Sequence, residues 1–423
     1  MNDLMTRREQ RAFETSAAAA APPVLAVVPA PATAPAFTPA PAFPSVPTGP
    51  LLVSSSVPLA RLHALIDSCG DMRVSDMHIH PGKPVRRLRS GKLVKDEGPE
   101  GIFTAEDIDA WLIDATEGRH SPLEPRGHAS VAMATDRYRV RGTFRKSLAG
   151  VTVTFRLIPT VIPDANDVGV PQIIQNLIHK DSGLIIMEGP TGSGKTTAIA
   201  GLIKKINTEY DKHIYMVEDP TEFVHEEIGA TSIIQRQIGS HALDYPTAIE
   251  DALRSKPNVI VIGELLNPAT AKAALHAATT GHLVITTAHA GSITEALDSF
   301  IGQFTADEQP QVRSRLSQSL LAIMVQKLVP AVDGRLQAAR EVLINNLNFS
   351  ELIRDEKAHM IRGQIDGDKE GGKRLSFTLE HSLLNLVQEG KITCDVAMAA
   401  AKAPKDLEND LKRAGLYDLE LAA

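Results

Sequence analysis

The sequence predicts an α/β fold with two folded parts, a small α/β domain followed by a larger domain built on a parallel sheet. Its 423 residues are too many for a single compact core. After Pro171, continuous apolar runs of strand length alternate with helical patterns, which indicates parallel strands covered by helices on both faces. Before Pro159, the strand-like runs instead tend to alternate apolar with polar residues.

Composition argues against several classes of protein. The net charge of −7 and an aromatic content of 4% disfavour a dedicated nucleic-acid binder. Two cysteines, Cys69 and Cys394, cannot form a disulfide framework or a four-cysteine zinc site. No apolar run approaches the roughly 20 residues of a membrane span. Prolines and Glu14 break the N-terminal stretch as a signal-peptide core, so we expect a cytoplasmic protein.

Changes of composition divide the chain into five segments. Residues 1–57 are mostly Ala and Pro and are predicted to be disordered, with a solvated tail favoured over a tether that carries a docking motif. The small domain is expected at 58–159 and a linker rich in Pro, Asp and Gly at 160–170. The larger domain follows at 171–405, and a C-terminal tail at 406–423.

The small domain begins with a helical pattern from Pro58, PLARLHALIDSC, and a strand, SDMHIHPG, that ends in a Pro-Gly turn. The run VRRLRSGKLVKD predicts a hairpin around Ser90 and Gly91. In TAEDIDAWLIDAT, Thr104 is the expected N-cap of a helix with Asp107 in its first turn. Three strand-like runs complete the domain: HASVAMA, RYRVRGTFR and GVTVTFRLIP.

The larger domain alternates helices and strands. In chain order the segments are QIIQNLIHK, GLIIMEG, TTAIAGLIKKIN, HIYMVED, AIEDALRS, NVIVIGE, ATAKAALHAAT and HLVITTAH. From Ile293 onward we expect mainly helices, interrupted by the strand-like run AAREVLI. The carboxyl ends of parallel strands line the ligand crevice of such a sheet, so the strand ends are the place to look for functional residues.

A phosphate-binding loop follows one of these strands. The segment GPTGSGKTT fits the pattern G-x-x-x-x-G-K-[ST] between a strand and a helix, which is the required context. Its glycines let backbone N–H groups face phosphate oxygens, Lys195 would neutralise the β- and γ-phosphates of ATP, and Thr196 would bind Mg²⁺. The expected nucleotide-binding residues are Gly189, Pro190, Thr191, Gly192, Ser193, Gly194, Lys195, Thr196 and Thr197.

Acidic residues end two further strands. Glu218 and Asp219 follow one apolar run, and Glu264 follows another, with Gly263 where a P-loop enzyme usually carries an Asp. Carboxylates at such strand ends can hold the water of Mg²⁺ or polarise an attacking water. We predict Glu218 and Glu264 as catalytic, Asp219 as nucleotide-binding, and Glu264 together with Thr196 as Mg²⁺ ligands, partly through water.

Two histidines and a set of arginines complete the candidates. A lone histidine beside an apolar run is usually structural, but His282 and His289 bound one buried strand near a P-loop, which favours γ-phosphate sensing or domain coupling. No third and fourth metal ligands stand at suitable spacing beside them. The small domain carries arginines that either cover a solvated sheet face or act as arginine fingers, for a neighbouring subunit's site. These are Arg137, Arg139, Arg141, Arg145 and Arg156.

Together these segments resemble the secretion and pilus traffic ATPases, the PilT/GspE-type superfamily. SDMHIHPGKPVRRLRSGKL and VTVTFRLIP resemble parts of its N-terminal domain, and GPTGSGKTT its Walker A motif. VEDPTEFVH resembles the Asp box, NVIVIGE the Walker B motif with Gly-Glu, and TGHLVITTAH the His box. The resemblance runs from about Pro58 to about Lys405.

Within the superfamily the strongest resemblance is to PilT-like retraction ATPases. The chain lacks the four cysteines of the zinc subdomain of extension ATPases, and FSELIRDEK partly matches a C-terminal AIRNLIRE-type motif. TTAHAGSITEALDSFIGQF is similar to DotB-like ATPases of type IVB secretion, so pilus, secretion and conjugation machines stay open. Leu266 and Asn267 replace an Arg-Asp pair that the family often has, which is expected to weaken inter-domain coupling or slow turnover.

The resemblance implies a small PAS-like α/β N-terminal domain, a RecA-like P-loop ATPase domain with a helical C-terminal part, and a hexameric ring that binds ATP and Mg²⁺. It gives Glu218 the role of general base and Glu264 that of holding Mg²⁺ and water. His282 and His289 would sense the γ-phosphate. The candidates that close on the phosphates are Arg139, Arg141 and Arg156.

The resemblance also implies partners. These are other copies of the chain, as a homohexamer, and inner-membrane platform or core-complex proteins, which would place the protein peripherally at the inner membrane. No zinc and no sequence-specific nucleic acid are expected. Two rival functions are a nucleotide-gated assembly or regulatory protein with little turnover, and a nucleic-acid translocase, which the negative charge and few aromatics disfavour.

Overall fold

The computed structural model describes residues 57–69, 74–89, 91–96, 101–115, 123, 127–135, 137–365, 367–370 and 373–417. The predicted Ala/Pro-rich tail, apart from Val57, and the last six residues of the predicted C-terminal tail lie outside these residues. Every helix in the described part is too short or too polar to cross a lipid bilayer.

The first part of the chain forms an antiparallel sheet with two helices. Its elements are α1 (Val57–Asp67), β1 (Val74–Ile79), β2 (Arg86–Arg89), β3 (Lys92–Lys95), α2 (Ala105–Ala115), β4 (His128–Ala134), β5 (Tyr138–Ser147) and β6 (Gly150–Pro159). The strand order is β3-β2-β1-β6-β5-β4, with every neighbouring pair antiparallel. Trp111 and Phe155 are among the large side chains buried in its core.

Two local predictions for this part are confirmed. Strands β2 and β3 pair as the predicted hairpin, although Ser90 at its turn lies outside the described residues. Thr104 caps α2, because its Oγ1 accepts a hydrogen bond from the Asp107 N–H at 3.2 Å. The Asp107 carboxylate in turn accepts from the Thr104 N–H at 2.9 Å, so two N–H groups at the helix start are satisfied reciprocally.

The second part forms a mainly parallel sheet. Its elements are α3 (Gln172–Gln175), β7 (Gly183–Glu188), α4 (Lys195–Glu209), β8 (His213–Glu218), β9 (Ser232–Gln237), α5 (Tyr245–Arg254), β10 (Val259–Ile262), α6 (Pro268–Thr279), β11 (Leu283–Thr287), α7 (Ile293–Gly302), α8 (Gln309–Ser319), β12 (Leu320–Pro330) and β13 (Leu336–Ile344). The order is β13-β12-β7-β11-β10-β8-β9, in which only β13 runs antiparallel to its neighbour.

The central strands of this sheet are buried on both faces, as their continuous apolar runs predicted. Alternate residues of β7 pack into two separate clusters, Leu184 and Ile186 on one face, Ile185 and Met187 on the other. Because neither face meets water, nothing requires polar residues along these strands. The acids Glu188, Glu218 and Glu264 lie at or just after the carboxyl ends of β7, β8 and β10, which places them at one edge of the sheet.

Two strands of this sheet were not predicted. The run from Leu320 to Pro330 was expected to be helical and is instead β12, which pairs with β7. An apolar run of this length lacks the periodicity that separates a buried strand from a buried helix. The shorter β9, Ser-Ile-Ile-Gln-Arg-Gln at the edge of the sheet, has only two apolar residues and was not among the predicted strands.

Helices dominate the C-terminal part. Its elements are α9 (Leu347–Arg354), α10 (Ile361–Ile365), β14 (Lys369–Glu370), β15 (Lys373–Arg374), α11 (Leu379–Gln388), α12 (Cys394–Ala400) and α13 (Pro404–Arg413). The predicted boundary at residue 405 falls inside α13. Because Leu407 and Leu411 are fully buried against α11 and α12, residues 406–413 belong to the folded part rather than to a tail.

Candidate nucleotide site

The phosphate-binding loop joins the end of β7 to the start of α4. Gly189 has φ of 135°, in the left-handed region, and a Cβ there would lie 2.3 Å from the backbone oxygen of Gln326. Only glycine therefore lets the loop leave the sheet at this point. Gly194 is the N-cap of α4, and the Ala198 N–H donates to its carbonyl at 3.0 Å.

The start of α4 suits a phosphate group. The first N–H groups of a helix have no partner within it and point out of its N-terminus, which favours an anion there. These groups belong to Lys195, Thr196 and Thr197. The Ser193 hydroxyl is buried without a hydrogen-bond partner in the described part of the chain, so the loop also holds an unused polar group.

Lys195 is 8% exposed and lies against the loop. Its Nζ donates to the Gly189 carbonyl at 2.5 Å and to the Pro190 carbonyl at 3.2 Å. Burial lowers the pKa of its ammonium, and the charges of Glu188 and Glu264 oppose that effect. The cation of the loop therefore faces two carboxylates.

The two predicted catalytic carboxylates end neighbouring strands. Glu218 is the last residue of β8 and Glu264 follows β10, and these strands pair in parallel. Glu218 is 7% exposed, and burial raises its pKa to about 7. The Gln235 side chain on β9 donates to its Oε2 at 3.2 Å and to the Phe223 carbonyl at 2.8 Å. Gln235 thus fixes Glu218, a role that could not be predicted without β9.

Tyr245 explains the glycine at position 263. Burial raises the pKa of the Tyr245 phenol, and the charges of Asp219, Glu264 and Glu218 act in the same direction. A Cβ at Gly263 would lie 2.8 Å from the Tyr245 hydroxyl and 3.2 Å from the Glu218 Cα. A side chain at 263 would therefore displace the groups that surround the predicted base.

His289 contacts Glu264, with 2.6 Å between the His289 Nε2 and the Glu264 Oε1. The next residue, Ala290, donates its N–H to the Glu188 carboxylate at 2.7 Å. Two consecutive residues of the loop after β11 are thus held in place. Glu264 contacts the first, and Glu188, which directly precedes the phosphate-binding loop, binds the second.

Glu188 was missed by the sequence reasoning. It is 2% exposed, and burial raises its pKa to about 7, while the Ala290 N–H and Lys195 oppose that effect. The only signal in the sequence was an acid that ends the apolar run GLIIME. Together with Glu264, Leu266 and His289 it lines a cavity of about 270 Å³.

Of the three candidate arginines, the structure brings Arg139 to the site. Its Nη1 donates to the Glu222 carbonyl at 3.2 Å, in the loop that follows Glu218. Burial lowers the pKa of its guanidinium, and the charge of Glu218 opposes that effect. Arg156 instead pairs with Asp76 of the same antiparallel sheet at 3.1 Å, and its cross-strand neighbour Arg141 is exposed.

The structure does not bring His282 to this group. It precedes β11, whereas His289 follows it, so the two histidines lie at opposite ends of the strand, on the order of 20 Å apart. His282 Nδ1 lies 3.2 Å from the Ala277 carbonyl at the end of α6. The prediction that His282 senses the γ-phosphate is therefore corrected for a nucleotide bound to its own chain.

Asp219 follows β8, and the two residues that replace the family's Arg-Asp pair follow β10. Asp219 is exposed, next to Glu218 at the carboxyl edge. Asn267 is the N-cap of α6, because its Oδ1 accepts from the Thr270 N–H at 2.9 Å. An Asp could make the same bond, so replacing the family's Asp by Asn267 keeps the cap. The replacement that changes the chemistry is Leu266, whose side chain is 58% exposed at the cavity.

These residues fit ATP with Mg²⁺. The loop offers N–H groups and a lysine to the phosphates, and Thr196 and Glu264 offer oxygen ligands of the hard type that Mg²⁺ takes. Few protein ligands are needed, because Mg²⁺ keeps several waters and binds the phosphates themselves.

Comparison with known proteins gives a consistent result. The model of the family described as "Type II/IV secretion system protein" matches residues 127–369, more than half of the chain. The chain is 34% identical over 270 residues to the type IV pilus retraction ATPase PilT of Pseudomonas aeruginosa, covering 64% of this chain and 77% of that protein. It is 35% identical over 282 residues to the type IV pilus ATPase PilU of the same species, covering 66% and 72%.

Solved structures share the fold. The crystal structure of the pilus retraction motor PilT with bound ADP superposes with a TM-score of 0.72 at 30% identity, over 82% of this chain and 99% of that chain. The X-ray structure of the Legionella pneumophila ATPase DotB superposes with a TM-score of 0.72 at 23% identity, over 85% and 98%. These superpositions confirm the predicted α/β fold class, a small N-terminal domain before an ATPase domain with a helical C-terminal part.

Proposed function

The chain belongs to the type II/IV secretion system protein family, and on that basis we propose that it is a hexameric ATPase that hydrolyses ATP to drive a membrane-spanning machine. Among pilus, secretion and conjugation machines we propose type IV pilus retraction. The similarity in sequence to PilT and PilU supports this choice, whereas the likeness to DotB concerns the fold alone.

One observation carries the proposal of hydrolysis. Two carboxylates, Glu218 and Glu264, lie at the same edge of the sheet as the phosphate-binding lysine, on paired strands. A protein that only binds nucleotide needs the loop and its lysine. Glu218 is a buried carboxylate at that edge, and its pKa of about 7 suits general base catalysis near neutral pH.

Each residue then has a role. Lys195 and the N–H groups at the start of α4 bind the β- and γ-phosphates. Mg²⁺ bound with ATP would offset phosphate charge, held by Thr196 and, through water, by Glu264. Glu218 orients the attacking water and accepts its proton. His289 keeps Glu264 in place.

Coupling to movement would pass through Arg139. This residue belongs to the N-terminal sheet but contacts the loop after Glu218, so a change of charge beside Glu218 reaches the N-terminal domain directly. In a ring, such changes would turn one domain against the other and push an inner-membrane partner. We propose that the protein is cytoplasmic and attached to the inner membrane through such partners.

One observation favours a second candidate function, a nucleotide-gated regulator with little turnover. Leu266 offers no charge at the cavity that Glu188, Glu264 and His289 line. If the missing cation limits turnover, Leu266→Arg should accelerate phosphate release. An unchanged rate in that variant argues that the replacement has no catalytic consequence.

Steady-state phosphate release by the full chain tests the proposal. We expect turnover in the wild type and a loss of about 10²-fold or more in Glu218→Gln, with nucleotide binding retained, because the amide cannot accept the proton. Glu226→Gln is the matched control, since Glu226 is exposed in the same loop. Equal turnover in Glu218→Gln and the wild type would contradict the assigned base, and a wild type without turnover would favour the regulator.

The machine is tested in the cell. A strain that carries Glu218→Gln should accumulate surface pili if the chain drives retraction. Normal pilus numbers combined with lost export of protein or DNA would identify a secretion or conjugation machine instead.

A further inference from the structure

A chain of buried polar side chains lies behind the phosphate-binding loop. Gln326 on β12 and Arg340 on β13 are direct cross-strand partners, 3% and 4% exposed. The Gln326 Nε2 donates to the Ser193 carbonyl of the loop at 2.5 Å, and the Arg340 Nε donates to the Gln326 Oε1 at 2.8 Å. The arginine therefore reaches the loop through the glutamine.

The two terminal nitrogens of Arg340 bind the segment that joins the two sheets, residues 160–170. The Arg340 Nη1 donates to the Gly169 carbonyl at 2.6 Å and its Nη2 to the Val168 carbonyl at 2.5 Å. Within the described residues no carboxylate pairs with this guanidinium, and burial lowers its pKa to about 10. A buried cation without a counter-charge depends on its hydrogen bonds, so losing these carbonyls would leave it poorly compensated.

Residues 162 and 164 of the same segment are also attached to the ATPase domain. The Lys204 side chain on α4, the helix that the phosphate-binding loop opens, donates to the Ile162 carbonyl at 2.9 Å and pairs with Asp164 at 2.8 Å. Thr160, in contrast, donates its N–H to the Arg137 carbonyl of the N-terminal sheet at 3.1 Å. Val161, 76% exposed, is the residue between these two attachments.

We propose that Arg340 and Gln326 are positioning residues that set the backbone of the phosphate-binding loop at Ser193 and fix residues 168–169 to it, so that residues 162–170 move with the ATPase domain. The predicted linker at 160–170 is then mostly part of that domain, and the chain can turn only near Val161. The proposal rests on the proposed function for the identity of the nucleotide that the loop binds. The attachment of residues 168–169 by Arg340 does not depend on whether the protein hydrolyses that nucleotide.

Amide hydrogen exchange and ATP kinetics of the full chain test this. The N–H groups of Val168, Gly169 and Val170 bond within the segment and serve as reporters. Arg340→Met should accelerate their exchange at least tenfold in the absence of nucleotide and raise KM for ATP several-fold with a smaller change in kcat. Arg340→Lys, which keeps one donor group, should restore part of both effects. Adding ADP to the wild type should leave the exchange of these three amides unchanged or slower.

Two further variants make the test specific. Arg335→Met, on an exposed arginine just before β13, is the matched control and should change nothing. Gln326→Met should raise KM for ATP while the exchange at 168–170 stays near the wild-type rate, because Arg340 still holds those carbonyls. This variant decides the outcome if Arg340→Met does not fold.

The proposal is overturned by wild-type exchange at 168–170 in a folded Arg340→Met, by an unchanged KM in Gln326→Met, or by faster exchange of these amides when ADP binds. Because the exchange without nucleotide is measured independently of catalysis, a wild type that lacks turnover contradicts the proposed function and leaves this measurement valid.

Discussion

The His289 Nε2 lies 2.6 Å from the Glu264 Oε1, which joins the loop after β11 to the loop after β10 at the carboxyl edge of the sheet. Both side chains are partly exposed, at 48% and 31%, so the contact contributes more to the placement of the carboxylate than to global stability.

His289→Asn should lower kcat about tenfold with little change in nucleotide affinity, because a hydrogen bond to a charged group is lost at a residue that would hold the Mg²⁺ water. Steady-state phosphate release and ATP titration measure the two quantities. His276→Asn, on the exposed side of α6, is the control. A variant that loses ATP binding instead of turnover would place His289 on the nucleotide rather than on Glu264.

Activity should depend on the ionisation of Glu218. Burial raises its pKa to about 7, and a general base acts only when deprotonated, so kcat/KM for ATP should rise with pH and level off above about pH 7. Profiles of kcat/KM for the wild type and Glu218→Gln measure this. The variant should lose this limb along with its activity, whereas Glu188→Gln should keep it. If the rise of kcat/KM with pH is lost only in Glu188→Gln, the titrating group is Glu188 and not Glu218.

Stability should depend on the ionisation of Glu188. Its pKa is raised from 4.5 to about 7 in the folded chain, so the folded state keeps the proton to higher pH than the unfolded state. The stability that this carboxyl contributes is therefore complete below about pH 4.5 and is lost as pH rises through about 7. Glu188→Gln keeps an oxygen for the Ala290 N–H and cannot ionise. Its free energy of unfolding should therefore increase relative to that of the wild type as pH rises.

Urea unfolding from about pH 5 to about pH 8 measures this difference, with Glu226→Gln as an exposed control. A difference between Glu188→Gln and the wild type that stays constant with pH would show that Glu188 is charged throughout this range.

Gly263→Ala should destabilise the chain by about 1–3 kcal/mol, because its Cβ would lie 2.8 Å from the Tyr245 hydroxyl and 3.2 Å from the Glu218 Cα. Removing the hydroxyl in Tyr245→Phe should recover part of this loss in the double variant. Denaturant unfolding of both single variants and the double variant gives the coupling. Additive effects would show that the alanine is accommodated without moving the tyrosine.

Asn267→Asp should leave stability within about 0.5 kcal/mol of the wild type, because either side chain caps α6, whereas Asn267→Ala should cost about 1 kcal/mol. Thermal or denaturant unfolding checks both values. Equal loss in the two variants would mean that the amide group itself, rather than its capping oxygen, is required.

Local chemistry made part of the site predictable. A glycine-rich loop between a strand and a helix specifies its own geometry, and acids that end apolar runs must lie at the edge of the sheet, so the placement of Lys195, Glu218 and Glu264 could be predicted from spacing alone. Glu188 shows the same pattern, an acid at a strand end, but it directly precedes the phosphate-binding motif and was not predicted as a separate site residue. Gln326 and Gln235 carried no such signal, because their strands were not recognised.

The sequence by itself determined the two folded parts, the family, the phosphate-binding loop and the strand ends that carry carboxylates, because each depends on residues close together along the chain. Only the tertiary structure decided which residues meet across elements. It selected Arg139 from the three candidate arginines, separated His282 from His289 by the length of a strand, and joined the loop to residues 168–169 through Gln326 and Arg340. These contacts depend on strand order and register, which spacing in one sequence does not specify.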